Sequence, residues 1–141
     1  SLKENAVAEL DALASTLTNR VQRTIVSAAA AAFWEDGSHL NRLLGSQVFS
    51  WETAAVAKLS ILTKCHHVDP ALVNPVIDAL VEADRMLAST AIDDAVAARG
   101  AAWLTCLAQK SLSLADSTRA GKPELAIGAY LSAWRAAVGA R

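Results

Sequence analysis

A chain of 141 residues lies in the size range of one domain, and its 53% hydrophobic content is enough for a single core. Much of that content is alanine, and the aromatic residues are only 4 Trp, 2 Phe and 1 Tyr, so the composition predicts closely packed helices and argues against a β-sandwich or a Rossmann fold. Thirteen basic residues against fourteen acidic give a net charge of −1, and the cations are scattered, so the basic stripe that tracks nucleic-acid phosphates is missing.

In chain order, apolar residues at spacings of three and four (Val7, Leu10, Leu13, Ala14, Leu17, Val21, Ile25, Ala28) predict a first amphipathic helix over residues 3–32. The most apolar stretch, residues 25–34, is too short to span a bilayer, so no membrane insertion is expected. The chain begins at Ser1 without a methionine, and the natural N-terminus is expected upstream. From 33 to 49 the helical period fails and Asp36, Gly37, Asn41, Gly45 and Ser46 supply turn chemistry. Phe33, Trp34, Leu40, Leu43, Leu44, Val48 and Phe49 should nevertheless fold this loop down as a cap.

Ser50 reads as an N-cap with Glu52 in the first turn, opening a helix over 50–64. Asp69-Pro70 marks a turn, and Asn74-Pro75 reads as the N-cap and first residue of a helix over 75–98 that Gly100 terminates. Helices over 102–120 and 123–138 follow, joined through Gly121 and Lys122 into an antiparallel hairpin. Trp103, Leu104, Leu107, Leu114 and Ala115 form one broad apolar face on the first of them. Gly121, Ala126-Ile127, Tyr130 and Ala133 resemble the second half of a tetratricopeptide unit, although a solenoid needs about three such units and the chain offers one. The expected fold is therefore all-α, a single domain (1–141) of about five helices with a structured aromatic loop and a closing hairpin of TPR-like packing.

Few residues invite chemistry. Glu35, Asp36 and His39, with His66 and His67, suggest a metal of the oxygen and imidazole type, but no Glu-x-x-His pair sits on a long helix. His66 and His67 also have a helix-dipole explanation. Cys65 and Cys106 allow a disulfide, two buried free thiols or half a metal site. Asp84 has Leu80, Val81, Leu87 and Ala88 as helical neighbours and so lies on a core-facing stripe. A buried carboxylate needs donors, here the Trp34 indole, His39 or a loop amide, which makes Asp84 a tether for the loop or, in the sharper reading, a general base beneath it. No Gly-x-Ser-x-Gly, cysteine–histidine dyad or phosphate-binding glycine loop occurs.

The run Phe33-Trp34-Glu35-Asp36-Gly37-Ser38-His39-Leu40, followed by Gly45 and Val48-Phe49, resembles a helical module found near the C-terminal ends of multidomain secreted or cell-surface proteins of bacteria and archaea. Residues 83–95 are similar to that module's central helix and residues 126–134 to its closing helix, in the same order. The resemblance implies a non-catalytic accessory domain outside the cytoplasm, appended to hydrolase or adhesive modules. Members of that group are richer in lysine and glutamate, and Cys65, His66, His67 and Cys106 fall outside the shared pattern.

The expectation is thus a non-catalytic accessory module without cofactor, whose partners are neighbouring domains or another protein. Two alternatives stand beside it: a peptide or small-ligand module using a groove along loop 33–51, and a cryptic metal protein or enzyme. The residues of interest are Trp34, Asp36, His39, Phe49, Trp51 and Asp84.

Overall fold

The computed structural model describes residues 23–24, 30–65 and 68–141. Among them a 3-10 turn, Ala31–Phe33, precedes four α-helices: α1 (Ser46–Cys65), α2 (Pro70–Ala97), α3 (Ala102–Thr118) and α4 (Pro123–Ala140). The described residues form no sheet, and the fold is all-α. The helix expected over 3–32 lies mostly outside the described residues. At its described end the chain is no longer α-helical, since Ala30 has φ −60° and ψ 132° ahead of the 3-10 turn.

Helix α1 begins four residues before the expected start, so Ser50 is an exposed interior residue rather than a cap. The reason is packing: starting at Ser46 brings Val48, Phe49, Glu52, Ala55, Val56, Leu59 and Leu62 onto one buried stripe. Gly45 makes that start geometrically feasible, because a Cβ there would stand 2.5 Å from both the Asn41 carbonyl oxygen and Leu40 Cβ.

Helix α2 begins at the first of two equivalent signals. Asp69 caps it, accepting from the Ala71 N–H at 3.0 Å, and Pro70 occupies the first turn. Asn74-Pro75, expected to start the helix, lies inside it, at the cost of one backbone hydrogen bond. Burial of Val73, in phase with Ile77, Val81, Asp84, Leu87 and Ala88, offsets that loss. At the C-terminus the Gly100 N–H bonds the Ala95 carbonyl and the Arg99 N–H bonds that of Val96, a Schellman arrangement with Arg99 at φ 51° in the left-handed position. Gly100 is required for a different reason, since its Cβ would sit 2.5 Å from the Ala140 carbonyl oxygen.

Helices α3 and α4 form the expected hairpin: the turn 119–121 and Lys122 join them, and the Ala101 N–H bonds the Ala140 carbonyl at 2.9 Å, so they run antiparallel. Helix α4 is the hub and packs on α3, α2 and α1. It presents Ala126, Ile127, Tyr130, Ala133, Trp134 and Ala137, four of the six alanine or isoleucine at full burial. Such small side chains let helices approach closely, as the alanine-rich composition suggested. A polar network joins three helices: Tyr130 donates its hydroxyl to Asp116 on α3, which also receives the forked guanidinium of Arg85 on α2 at 2.9 and 3.3 Å. Burial alone would raise the Asp116 carboxyl, but the Tyr130 hydroxyl and Arg85 outweigh it and hold it below the ordinary range.

Cys65 and Cys106 are both free and exposed, which corrects the buried-thiol and disulfide readings alike. No described helix is long and apolar enough to cross a membrane.

Candidate functional site

The loop folds by local hydrogen bonding. Asp36 accepts from the Ser38 and His39 N–H groups at 2.7 and 2.8 Å, closing an Asx turn. A backbone bridge between Trp34 and Leu40 draws its two limbs together, and the Asn41 side chain accepts from the Leu43 and Leu44 N–H groups to turn the chain into α1. Arg42 then donates to the Val138 carbonyl at 3.1 Å, fixing the loop on the C-terminal end of α4, where a cation suits the helix dipole.

The turn positions His39 between two carboxylates. Its Nδ1 lies 2.9 Å from Asp36 and its Nε2 lies 2.9 Å from Asp94 on α2. The Asp36 bond first, then the charges of Asp36 and Asp94, raises the imidazole above its ordinary value. In turn the Ser38 N–H, followed by the His39 ring, holds the Asp36 carboxyl well below the carboxylate range. Ser38 Oγ also lies 2.9 Å from His39 Nδ1, so serine, imidazole and Asp94 form a line. Both ring nitrogens are engaged by carboxylates, and the Ser38 hydroxyl itself donates to Asp36 Oδ1 at 3.0 Å, so the cluster clamps the loop to α2. The adjoining cavity, about 10 Å³ between His39, Leu87, Thr90, Asp94 and Trp134, has room for about one water.

Asp84 is fully buried, as its stripe predicted, but the structure gives it a different partner. Its carboxyl faces that of Glu52 on α1, itself 9% exposed. No N–H or hydroxyl reaches either Asp84 oxygen or Glu52 Oε2, so the two carboxyls can bond only through a proton held between them. The tether reading is therefore corrected: among the described residues neither the Trp34 indole, His39 nor a loop amide bonds Asp84. Burial first, and each carboxyl's proximity to the other, pushes Asp84 well above its ordinary value, and burial likewise raises Glu52. Sequence reasoning placed Glu52 in a first turn and so missed the pair. The signal was present, since 48, 49, 52, 55, 56 and 59 fall at helical spacing and include Glu52.

The six residues singled out from sequence therefore occupy separate places. Asp36 and His39 meet, with Asp94 as the missed third member. Phe49 is buried against Trp134, ring centroids 5.9 Å apart and tilted by 45°. Trp34 is half-buried in the loop and packs against the core. Trp51 is exposed on α1, while Asp84 faces Glu52 inside. Two grooves open along this loop: one of about 320 Å³ is lined by Ala31, Trp34, Asp36 and Gly37, and a larger one, about 630 Å³, runs between Glu35, Arg42 and Leu43 of the loop and Trp134, Arg135 and Val138 of α4. Leu43 at its rim is 87% exposed. No group of three or more His, Cys, Asp or Glu side chains among the described residues is arranged to hold a metal, and His66 and His67 lie outside them.

A second surface was not anticipated. Helix α3 buries only Ala108 and Ala115 fully, while Trp103 is 70%, Leu107 48% and Leu114 60% exposed. The single broad apolar face expected on this helix is thus divided, with its largest side chains outward. Comparison of the chain with family models, with characterised proteins and with solved structures gives no match.

Proposed function

We propose that this chain is a non-catalytic helical interaction module, serving as an accessory domain of a secreted or surface protein of bacterial type. The observation that carries the reading is the outward apolar row Trp103, Leu107 and Leu114 on a helix anchored to the domain through Leu104, Ala108, Leu112 and Ala115. Exposed strips of this kind serve contact with other protein surfaces. The state of the polar loop supports it too, since His39, Asp36 and Asp94 are committed to one another and hold the loop on α2. The extracytoplasmic placement rests on the sequence resemblance, as does the TPR-like reading of the hairpin.

On this reading the module sits in a larger polypeptide, and the test compares such a polypeptide with a version lacking residues 1–141. A module of this kind leaves the turnover or adhesion of the remaining domains intact per folded molecule while lowering their thermal stability or assembly. Loss of turnover in a remainder that is still folded overturns the reading.

The groove beside Leu43 favours a second reading, the docking of a short apolar peptide against Trp134 and Val138. Saturable change in tryptophan fluorescence on titrating peptides, abolished by Leu43→Glu, supports it; fluorescence unmoved across a peptide library rejects it.

A further inference from the structure

Residues 34–65, the loop and α1, meet α2 through two polar contacts, and a proton makes each of them. In the loop, His39 lies 2.9 Å from Asp36 through Nδ1 and 2.9 Å from Asp94 of α2 through Nε2. Both nitrogens donate only in the imidazolium, so a neutral ring turns a lone pair on one of the two carboxylates. Inside, Glu52 of α1 faces Asp84 of α2, and no N–H or hydroxyl reaches either Asp84 oxygen or Glu52 Oε2. Only a proton between the two carboxyls bonds them, and without it two like charges face each other away from water.

The other three helices are joined differently. The Arg85 guanidinium of α2 forks onto Asp116 of α3 at 2.9 and 3.3 Å, Tyr130 of α4 donates to the same carboxylate, and Arg119 donates to Glu82 of α2 at 2.6 Å. Guanidinium and carboxylate keep their charges far above neutrality, and the Tyr130 hydroxyl is pushed up to about 12. These groups also leave the buried pair without compensation. Arg85 follows Asp84 in sequence but serves Asp116, as does Tyr130 on α4, and Lys58, the next cation along α1 from Glu52, donates to Thr24 at 3.2 Å. Beside His39, Arg141 at the end of α4 lines the same small cavity, and Asp93 of α2 is exposed.

We propose that residues 34–65 form a proton-fastened strap: with both protons in place the loop and α1 are held on α2, and once they leave, the strap lifts while α2, α3 and α4 stay packed. The two fastenings respond to pH in the same direction. Burial raises both carboxyls, and Asp36 with Asp94 raises the imidazole, so each contact is complete below the ordinary value of its group and is lost as pH rises through the raised one. The buried pair is the stronger of the two, because His39 and Asp94 are partly exposed to solvent. Lifting uncovers Val48, Phe49, Val56 and Leu59 of α1 and the Trp134 ring of α4 against which Phe49 lies. That apolar surface, with the Arg42 bond to the Val138 carbonyl at 3.1 Å and the Ser60 bond to Glu124 at 3.3 Å, resists lifting at every pH. The strap therefore opens briefly, and more often as pH rises.

Amide hydrogen exchange read by mass spectrometry on the 141-residue chain, each rate divided by the intrinsic rate of its peptide, tests this at pH about 5.5 and about 8.5. Protection in 46–65 should fall at least about tenfold between those values and stay at least about tenfold below that of 102–140 at both. Asp84→Asn combined with His39→Gln should leave 46–65 equally protected at the two values. If that variant does not fold, Glu52→Gln with His39→Gln carries the same expectation. Equal protection of 46–65 and 102–140, which means that the domain opens only as a whole, overturns the strap. So does protection of 46–65 that is the same at both pH values in the wild-type chain, or a fall that persists in full in the folded double variant.

Discussion

Replacing Asp84 by asparagine should stabilise this domain at neutral and alkaline pH. Three oxygens of the Glu52–Asp84 pair are buried with no N–H or hydroxyl donor, so only a proton held between the two carboxyls can satisfy them, and a buried polar group left unsatisfied once that proton leaves costs about 1–3 kcal/mol. Asparagine has nearly the same shape, is neutral at every pH and offers an NH₂ to Glu52. A gain of about 1–2 kcal/mol at pH near 8 follows, or roughly 3–8 °C in a chain of this length. Both carboxyls titrate higher in the folded than in the unfolded chain, so the native state holds the extra proton. Their favourable contribution is complete below the ordinary carboxylate range and is lost as pH rises through the raised folded values. Wild-type stability should accordingly decline toward alkaline pH, and the variant should flatten that decline. Urea unfolding at a series of pH values from about 4 to about 9 measures it. An Asp84→Asn protein less stable than wild type at every pH, with parallel profiles, refutes the reasoning and implies an ionised Asp84 held by donors.

The end of α2 yields a pair of opposite outcomes: Arg99→Gly relieves a left-handed residue and should add about 0.5–1 kcal/mol, whereas Gly100→Ala collides with Ala140 and should cost about 1–3 kcal/mol, both read from chemical unfolding. His39 should show an imidazole titration above that of free histidine by NMR, absent in His39→Gln. Its clamp contributes fully below the ordinary histidine value and is lost as pH rises through the raised one, shifting the melting midpoint by no more than about 3 °C because the pair is half-exposed. Burial, then the Asp116 bond, pushes the Tyr130 hydroxyl up to about 12. As the chain has one tyrosine, absorbance titration reads it directly, and a transition near that of free tyrosine would contradict the buried network. Tyr130→Phe should cost about 0.5–1.5 kcal/mol.

Helix periodicity carried most of the fold, and its failures have local causes. Residues 102–118 and 123–140 begin at the expected positions because Gly100, Gly121 and Pro123 punctuate them without competitors. Residues 46–49 and 70–74 were assigned to turns because Ser50 and Asn74-Pro75 offer sound capping chemistry. An upstream signal, Gly45 or Asp69-Pro70, starts each helix, and burial of Val48, Phe49 and Val73 decides between the signals. Capping is worth about 1 kcal/mol, whereas fully burying one such apolar side chain is worth about 1.5–3 kcal/mol. The same misplacement hid the buried pair, since a helix begun at Ser50 exposes Glu52 to the helix dipole rather than to Asp84. Asp94 escaped notice because the residue that selects it, His39, reaches it through a turn fifty-five positions away in sequence, and only Asp36 is local.

The apolar side chains divide between those that hold the fold and those that stand on its surface. In an ordinary amphipathic helix the large apolar side chains face the core and small ones fill the margins. Helix α3 departs from that order in part: Leu104, Ala108, Leu112 and Ala115 pack on the core, while Trp103, Leu107 and Leu114 stand outside. Alanine on the inner face allows α3 to lie close on α4, and the domain closes without those larger residues. Their exposure therefore has no role in holding the chain together, and truncating Leu107 or Leu114 should leave folding nearly unchanged. The loop stands in the opposite relation: Phe49 is wholly buried, and the His39 clamp ties the loop to α2. Of the two regions rich in apolar side chains, the one with turn chemistry and titratable groups is spent on the fold, and the plain helix keeps its largest apolar side chains exposed.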